Sequence, residues 1–320
     1  YTFAMPVMGL GGGTFHSRHE PELLGFPEAS PEYQAAMQAY LGAIAAHLRE
    51  RDWLDEAFVY WFDEPDTKDY EFVMGGFRKL KQWAPGVRRM LTEQVEDALL
   101  GGPNLWCPVT PEFSPEKAAA RRPQGEQFWW YVCTGPKAPY ATLFIDHPGT
   151  ELRVWLWQTW ERSIEGILVW QSNYWNSSCA YPEADQPQNP YLDPMGWVSG
   201  YDTPKGAKQA WGNGDGRFIY PPEAAADGRP AAPVLEGPVD SQRWEMLRDG
   251  IEDYEYFVIL RRLLAEKGAG LDAAMRQGYE ALLSVPDEVS VDMTHFTRDP
   301  APLEEHRHRL GLAITELKGK

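Results

Sequence analysis

AFVYWFDEP, residues 57–65, is the stretch on which the reading of this chain turns. Phe58–Phe62 is an unbroken apolar and aromatic run, the composition of a strand buried on both faces of a parallel sheet. The run stops at Asp63-Glu64, and Pro65, which has no N–H to donate, cannot continue a ladder. Two adjacent carboxylates therefore stand just past the C-terminal end of a core strand. In a β/α barrel that is the face on which active sites are built. A carboxylate pair is also the minimum equipment for acid/base or ion-stabilising chemistry on a sugar. The same letters spell a helix start, with Asp63 capping the next turn and Pro65 at its first position. On these residues alone both readings stay open.

Outward from this stretch the chain alternates between strand and helix signals. Tyr1–Leu10 reads as a buried strand, followed by Gly9, Gly11, Gly12 and Gly13 in a loop. No Lys-Ser/Thr follows, so this is not a P-loop. The glycines suit a backbone that approaches a ligand or a neighbouring element. His16 and His19 in this loop are read as surface histidines, within the repertoire of sugar hydrogen-bonders. Ser30-Pro31 opens a helix carrying Tyr33, Met37, Tyr40, Leu41, Ile44 and Leu48 at helical spacing. Tyr70–Trp83 is a second amphipathic helix, ended by Ala84-Pro85-Gly86.

Further strands are expected at Arg88–Thr92, ending at Glu93; at Asn104–Val109; at Phe128–Cys133; and at Gly166–Gln171, ending at Ser172-Asn173-Tyr174-Trp175. Pro115–Arg122 and Glu151–Glu161 are the helices between them. This rhythm predicts an α/β fold of the TIM-type (β/α)8 barrel, with the active loops on one side. About six strands are found where a closed barrel needs about eight, so either the first strands lie upstream of Tyr1 or the barrel is incomplete at its N-terminal end. The chain opens inside an apolar run rather than with Met, and something upstream is expected to have been removed or omitted. An open doubly wound sheet is the alternative, without a dinucleotide fingerprint to support it.

One domain is expected to span residues 1–320. Within it, residues 177–238, rich in Pro, Gly, Asn and Asp, read as an ordered excursion over the barrel mouth, with a mobile tip at Ala224–Pro233. A strand at Arg217–Tyr220 follows the turn Gly212–Gly216, where Asn213 and Asp215 supply hairpin-turn chemistry. Residues 239–320 are read as C-terminal helices. Asp240 or Ser241 caps a long one, in which Arg243 and Arg248 hold the helix through ion pairs to neighbouring loops. Leu271–Leu283 and Leu303–Leu317 complete the outer layer.

Composition narrows the function. A net charge of −17 argues against a nucleic-acid partner and against docking on anionic membranes. No apolar run reaches membrane-spanning length. The 14 Trp, 15 Tyr and 13 Phe offer many flat amphipathic faces, on which the C–H faces of sugars stack. Cys107, Cys133 and Cys179 are odd in number and widely spaced, making neither a metal motif nor a disulfide framework. No cofactor and no metal is called for. Glu93, also at a strand end, is a candidate for binding a sugar hydroxyl or an arginine.

Several stretches in series carry a resemblance: YWFDEP, WYVCTGP, GILVWQSNYW, GNGDGRFIYPP and SQRWEMLRDGIEDYEYF. Together, over roughly Tyr1 to Leu260, they resemble the catalytic domain of glycoside hydrolase family 123. The resemblance implies a retaining exo-acting β-N-acetylgalactosaminidase with substrate-assisted catalysis, an exception to the two-carboxylate scheme. It places the family's Asp-Glu pair on Asp63 and Glu64 and so favours the functional reading of that pair. Asp63 would orient and stabilise the substrate's acetamido group, and Glu64 would serve as acid and then base. The expected partner is a glycan or glycolipid bearing a terminal N-acetylhexosamine, and the family's habit implies export.

Trp130, Tyr131, Trp170, Asn173, Tyr174 and Trp175 are the candidates for lining the sugar site, with about half of the aromatics expected to be core by strand alternation. The alternatives are a hydrolase of another β-linked 2-acetamido sugar, such as N-acetylglucosamine, and a non-catalytic carbohydrate-binding relative.

Overall fold

A computed structural model describes residues 2–176, 188–194, 212–227 and 232–319. The expected excursion at 177–238 and its tip therefore lie partly outside the described residues, as does Cys179. The chain packs as two compact units, Tyr1–Tyr131 and Val132–Lys320.

The first unit is built on five parallel strands: β1 (Phe3–Ala4), β2 (Ala57–Val59), β3 (Arg88–Leu91), β4 (Leu105–Trp106) and β5 (Gln127–Tyr131). Each pairs in parallel with its predecessor in the chain, with Phe3 opposite Ala57, Phe58 opposite Arg88, Met90 opposite Leu105 and Gln127 opposite Leu105 on its other side. Strand order thus follows chain order without reversal. A barrel is wound in this way, whereas a doubly wound sheet reverses direction at a switch point.

The helices between these strands start where the caps predict. Helix α1 (Pro31–Glu50) begins at Ser30, whose side chain accepts from the Tyr33 N–H at 3.1 Å. It buries Tyr33, Met37, Leu41, Ala45 and Leu48 at helical spacing. Helix α2 (Tyr70–Trp83) buries Val73, Gly76, Phe77 and Leu80. Helix α3 (Pro115–Arg121) is capped by Ser114.

Two expectations in this unit need correction. Tyr1–Leu10 is not a buried strand: only Phe3–Ala4 is extended in the ladder, and both residues are exposed because β1 lies at the sheet edge. Nor is Phe58–Phe62 one strand. The ladder breaks at Tyr60-Trp61, and Phe62–Asp63 forms a separate short strand beside Gly12–Thr14, with Gly13 opposite Phe62 and Thr14 opposite Asp63. The Trp61 indole lies on Gly76 of α2, so close that a Cβ there would fall 2.2 Å from the ring.

Gly12 and Gly13 make the close approach expected of them, to a neighbouring strand. A Cβ on Gly13, at φ 154°, would sit 2.2 Å from the Ser17 carbonyl oxygen in the hairpin with Arg18–His19. His16 and His19 are exposed.

The second unit centres on helix α4 (Thr150–Glu161), packed against α5 (Gln242–Lys267), which in turn packs on α6 (Ala273–Ala281) and α7 (Ala301–Gly319). Helix α4 is buried on every side, which explains its tryptophans: Trp157 meets Phe257 edge-on at 5.1 Å, and Trp160 stacks on the same ring at 5.0 Å. Asp253, fully buried, accepts from Arg153, Trp157 and Arg307. Ser241, rather than Asp240, caps α5 through the Trp244 N–H. Arg243 departs from the expected ion pairs. It is buried and donates to the carbonyl oxygens of Leu143, Gly214 and Arg217, tying the Gly212–Gly216 turn to the helix. Arg248 pairs with Glu245 and Glu252 on its own helix.

Candidate active site

The side chains that surround Asp63-Glu64 come from the C-terminal ends of neighbouring strands. Tyr60 follows β2, Thr92 follows β3, and Tyr131 closes β5. Side chains that end a strand of a parallel sheet point past the ladder toward one face, so short β2, β3 and β5 converge their last residues there. Asp63 is not a helix cap: the turn after it is a single 3-10 turn at Thr67–Asp69, whose N-cap is Asp66.

The two carboxylates are held differently. Asp63 Oδ1 accepts from the Tyr60 hydroxyl and, at 3.1 Å, from Thr92 Oγ1. The Thr92 hydroxyl also accepts the Glu64 backbone N–H at 2.9 Å. Thr92, only 3% exposed, thus joins the side chain of one acid to the backbone of the other. Glu64 sits at φ 44°, in the left-handed region that a non-glycine residue occupies only where its surroundings hold it. The Thr92 acceptor is one such restraint. On the far side, the Tyr131 hydroxyl donates to Glu64 Oε1. Tyr131 is fixed in turn: its N–H donates to the Pro108 carbonyl at 3.1 Å, and its own carbonyl accepts from Thr110 Oγ1 at 3.1 Å.

Burial raises the Glu64 carboxyl above its ordinary range, and the negative charge of Asp63 pushes the same way; the Tyr131 hydrogen bond offsets part of this. Burial likewise raises Glu93 to about 7, with Glu96, Glu64 and Glu112 adding to the effect and the Gln94 backbone opposing it. Burial and the neighbouring Asp63 carboxylate also raise the Tyr60 hydroxyl. A carboxyl raised by burial beside a second carboxyl that accepts hydrogen bonds from two hydroxyls is an arrangement suited to acid/base catalysis.

Of the residues expected at the site, the first unit brings together Asp63, Glu64, Tyr131 and Glu93. Trp130, their neighbour in sequence, is fully buried and meets Phe113 edge-on at 5.9 Å; strand alternation turns it into the core. Trp170, Asn173, Tyr174 and Trp175 belong to the second unit and form a cluster of their own. The Trp170 indole N–H lies 3.1 Å from both oxygens of Asp215, and its ring meets Tyr174 at 5.4 Å. Asn173 bridges to Arg217, and the Trp175 indole donates to the Ile219 carbonyl at 2.7 Å. Asp215, which the turn motif alone assigns to shaping its turn, also fixes Trp170. Burial raises its carboxyl to about 6, against the Trp170 and Gly216 hydrogen bonds and the charges of Arg243 and Lys137.

Tyr60 and Thr92 are the residues that sequence reasoning missed. Tyr60 stands inside a run that reads as one strand, and Thr92 reads as the last strand residue before Glu93. The available signal was a hydroxyl residue at the strand end on each side of the acid pair. Among the described residues no group of His, Cys, Asp and Glu is arranged to hold a metal ion. Cys107 is fully buried and Cys133 half-buried.

The family model described as glycoside hydrolase 123, catalytic domain, matches residues 17–260. Among solved structures, a family 123 glycoside hydrolase from Clostridium perfringens, studied for glycolipid glycan hydrolysis, aligns with a TM-score of 0.50 at 16% identity. That alignment covers 94% of this chain and 47% of that one, so the present chain spans about half the length of the structure it matches. A protein described as a glycerophosphoryl diester phosphodiesterase from Silicibacter pomeroyi aligns over 43% of this chain and 42% of its own, with 14% identity and a TM-score of 0.25. A comparison with curated proteins found no match. With its family match running from the Gly12–His19 hairpin through the Asp63-Glu64 pair into α5, the chain belongs to glycoside hydrolase family 123.

Proposed function

We propose that this chain is a retaining exo-glycosidase that removes terminal β-linked N-acetylgalactosamine, using the substrate's own acetamido group as nucleophile. The observation that carries the proposal is the division of labour between adjacent acids. Asp63 gathers two hydroxyl donors, while Glu64, half-buried and raised in pKa, is steadied by one tyrosine.

In the first step the acetamido carbonyl oxygen attacks C1 and the bond from C1 to the leaving oxygen breaks. Glu64 gives its proton to that oxygen, and the product is an oxazolinium ion whose N–H donates to Asp63. Asp63 thereby aligns the carbonyl for attack and stabilises the positive charge as it develops. In the second step water attacks C1 on the face the leaving group vacated. Glu64, now a carboxylate, takes the proton from water, the C1–oxygen bond of the ring opens, and the acetamide is restored. Two displacements at C1 retain its configuration. The Tyr131 hydroxyl stabilises Glu64 when it is charged between the two steps. The Trp170, Asn173, Tyr174 and Trp175 cluster and Glu93 are proposed to contribute to sugar binding. A glycan or glycolipid terminus fits as substrate; the neighbouring structure's work on glycolipid glycans favours that class.

The test uses two chromogenic β-glycosides, one of N-acetylgalactosamine and one of galactose, which lacks the acetamide. Cleavage of the first alone, inhibited by a thiazoline mimic of the intermediate and abolished in Glu64→Gln, is the expected result. Equal cleavage of both would end the substrate-assisted mechanism. Preference for the N-acetylglucosamine analogue would move the specificity to another 2-acetamido sugar.

A further inference from the structure

Helix α7 buries Leu303, His306, Leu310, Ala313, Ile314 and Leu317 on one stripe, so an imidazole holds a position that otherwise takes aliphatic side chains. His306 is only 4% exposed. Its ring meets Trp157 of α4 edge-on at 5.5 Å and lies against the Phe257 ring of α5 at 5.9 Å, with 29° between the planes. Its Nε2 stands 2.9 Å from the carbonyl oxygen of Leu282, the residue that ends α6. A carbonyl only accepts, so Nε2 carries the proton and Nδ1 keeps a lone pair. That Nδ1 is buried and has no hydrogen-bond partner among the described residues. We propose that His306 is an acid-sensitive latch of the second unit, in which a proton taken up at Nδ1 loosens α7 and the end of α6 from α4 and α5.

The neutral ring suits its place. It packs among aromatic rings and supplies the one donor that the Leu282 carbonyl takes. Protonation turns Nδ1 into a buried donor facing no acceptor and puts a charge into an apolar core, both of which cost free energy. The Leu282 carbonyl and the aromatic faces favour the cation, but neither receives the new N–H. The balance goes to burial, which pulls the imidazole below its ordinary range; the Leu282 bond opposes this and the charge of Arg309 adds to it.

The surrounding charges are committed elsewhere. On α5 the buried Asp253 already accepts from Arg153 of α4, Arg307 of α7 and the Trp157 indole. Glu304 pairs with Arg153, Glu252 with Arg307, and Glu280 of α6 with Arg276. Arg261 of α5 lies over the Trp160 ring. Between α6 and α7, Asp292 accepts from Thr294 and His295, and Arg298 pairs with Glu151. Asp287, Glu288, Glu305 and His308 are exposed. Holding the Leu282 carbonyl accounts for Nε2, and a glutamine could do as much. The unpartnered Nδ1 is what makes the contact depend on pH.

The sign follows from linkage. The opened state binds a proton with the ordinary pKa of about 6.5, and the closed state does not, so closure weakens as pH falls below about 6.5. For one proton the population of the opened state rises at most about eightfold between pH 7 and pH 5.5. Local opening of this kind is what amide hydrogen exchange reads.

The experiment measures exchange in the full chain at pH 7 and pH 5.5 by mass spectrometry, corrected for the intrinsic pH dependence of exchange. It is run on the parent, on His306→Gln, which keeps a donor for Leu282, and on His306→Met, which fills the space without one. Protection of residues 301–319 in the parent is expected to fall about three- to eightfold more than in either variant. An equal fall in parent and variants assigns the effect to another group and overturns the latch. Two results in the parent alone would also overturn it, so the test does not depend on the variants folding. One is unchanged protection of α7 between the two pH values. The other is a doubly protonated His306 ring, seen in long-range 1H–15N spectra, while α7 is still protected.

Discussion

Thr92→Val removes one hydroxyl and keeps the shape of the side chain, which makes it the sharpest probe of the acid pair. The hydroxyl donates to Asp63 Oδ1 at 3.1 Å and accepts the Glu64 N–H at 2.9 Å, in a residue only 3% exposed. A hydrogen bond to a charged group is worth about 1.5–3 kcal/mol, and a buried donor left without an acceptor costs about 1–3 kcal/mol. The second loss falls on Glu64, whose left-handed backbone at φ 44° depends on its restraints. If about 2–4 kcal/mol of this is lost from the transition state, kcat falls about 30- to 1,000-fold. KM is expected to stay within about threefold, since Thr92 shapes the acids rather than contacting the sugar. Thr92→Ser, which restores the hydroxyl, is expected to recover kcat to within about fivefold. Steady-state kinetics on an aryl β-N-acetylgalactosaminide measure all three. A Thr92→Val enzyme with kcat within threefold of the parent, or a Ser variant as impaired as Val, would refute the coupling of the two acids through this hydroxyl.

Two further outcomes follow from the same group of residues. Tyr131 stabilises the charged form of Glu64, so its loss lets the Glu64 pKa rise further; Tyr131→Phe is expected to move the basic limb of the kcat/KM profile to higher pH, with kcat down roughly tenfold for the lost bond. A limb that moves to lower pH contradicts the assignment of Glu64 as the acid. Burial raises the Glu93 carboxyl to about 7 in the folded chain, against about 4.3 when unfolded. The folded state holds that proton more tightly, so the contribution of Glu93 is fully present below about pH 4.3 and is lost as pH rises through 7. Glu93→Gln should remove this slope, leaving stability at pH 4 little changed and raising it at pH 8 by about 1–2 kcal/mol once solvent screening of a partly exposed group is allowed for. Urea denaturation at the two pH values checks it, and equal effects at both would show that burial of the Glu93 charge is not what sets its pKa.

What was legible in the sequence was local. Ser30-Pro31, Ser241 and the Ala84-Pro85-Gly86 stop fix helix ends through bonds made within a few residues, and the helices begin and end there. The abrupt change from apolar run to Asp63-Glu64 marked the acid pair because an apolar strand and a charged strand end need opposite surroundings. The Trp-rich stretch at Glu151–Glu161 read correctly as helix, although its tryptophans hide any amphipathic stripe.

The departures all involve partners distant in sequence. Nothing within residues 57–65 tells that Phe62–Asp63 pairs with Gly12–Thr14, or that Gly76 on α2 receives the Trp61 indole. Thr92 gains its role only when β3 is laid beside β2, and Tyr131 only when β5 brings its hydroxyl to Glu64. Trp130 and Tyr131 are adjacent in sequence, yet strand alternation sends one into the core and the other to the acid. By itself, then, the sequence determined the main helices, their caps and the two carboxylates, since propensity and hydrophobic period act over a few residues. Tertiary structure alone decided which hydroxyls hold those carboxyls and that burial raises the pKa of Glu64. Hydrogen-bond partners and burial are properties of surfaces brought together from distant parts of the chain.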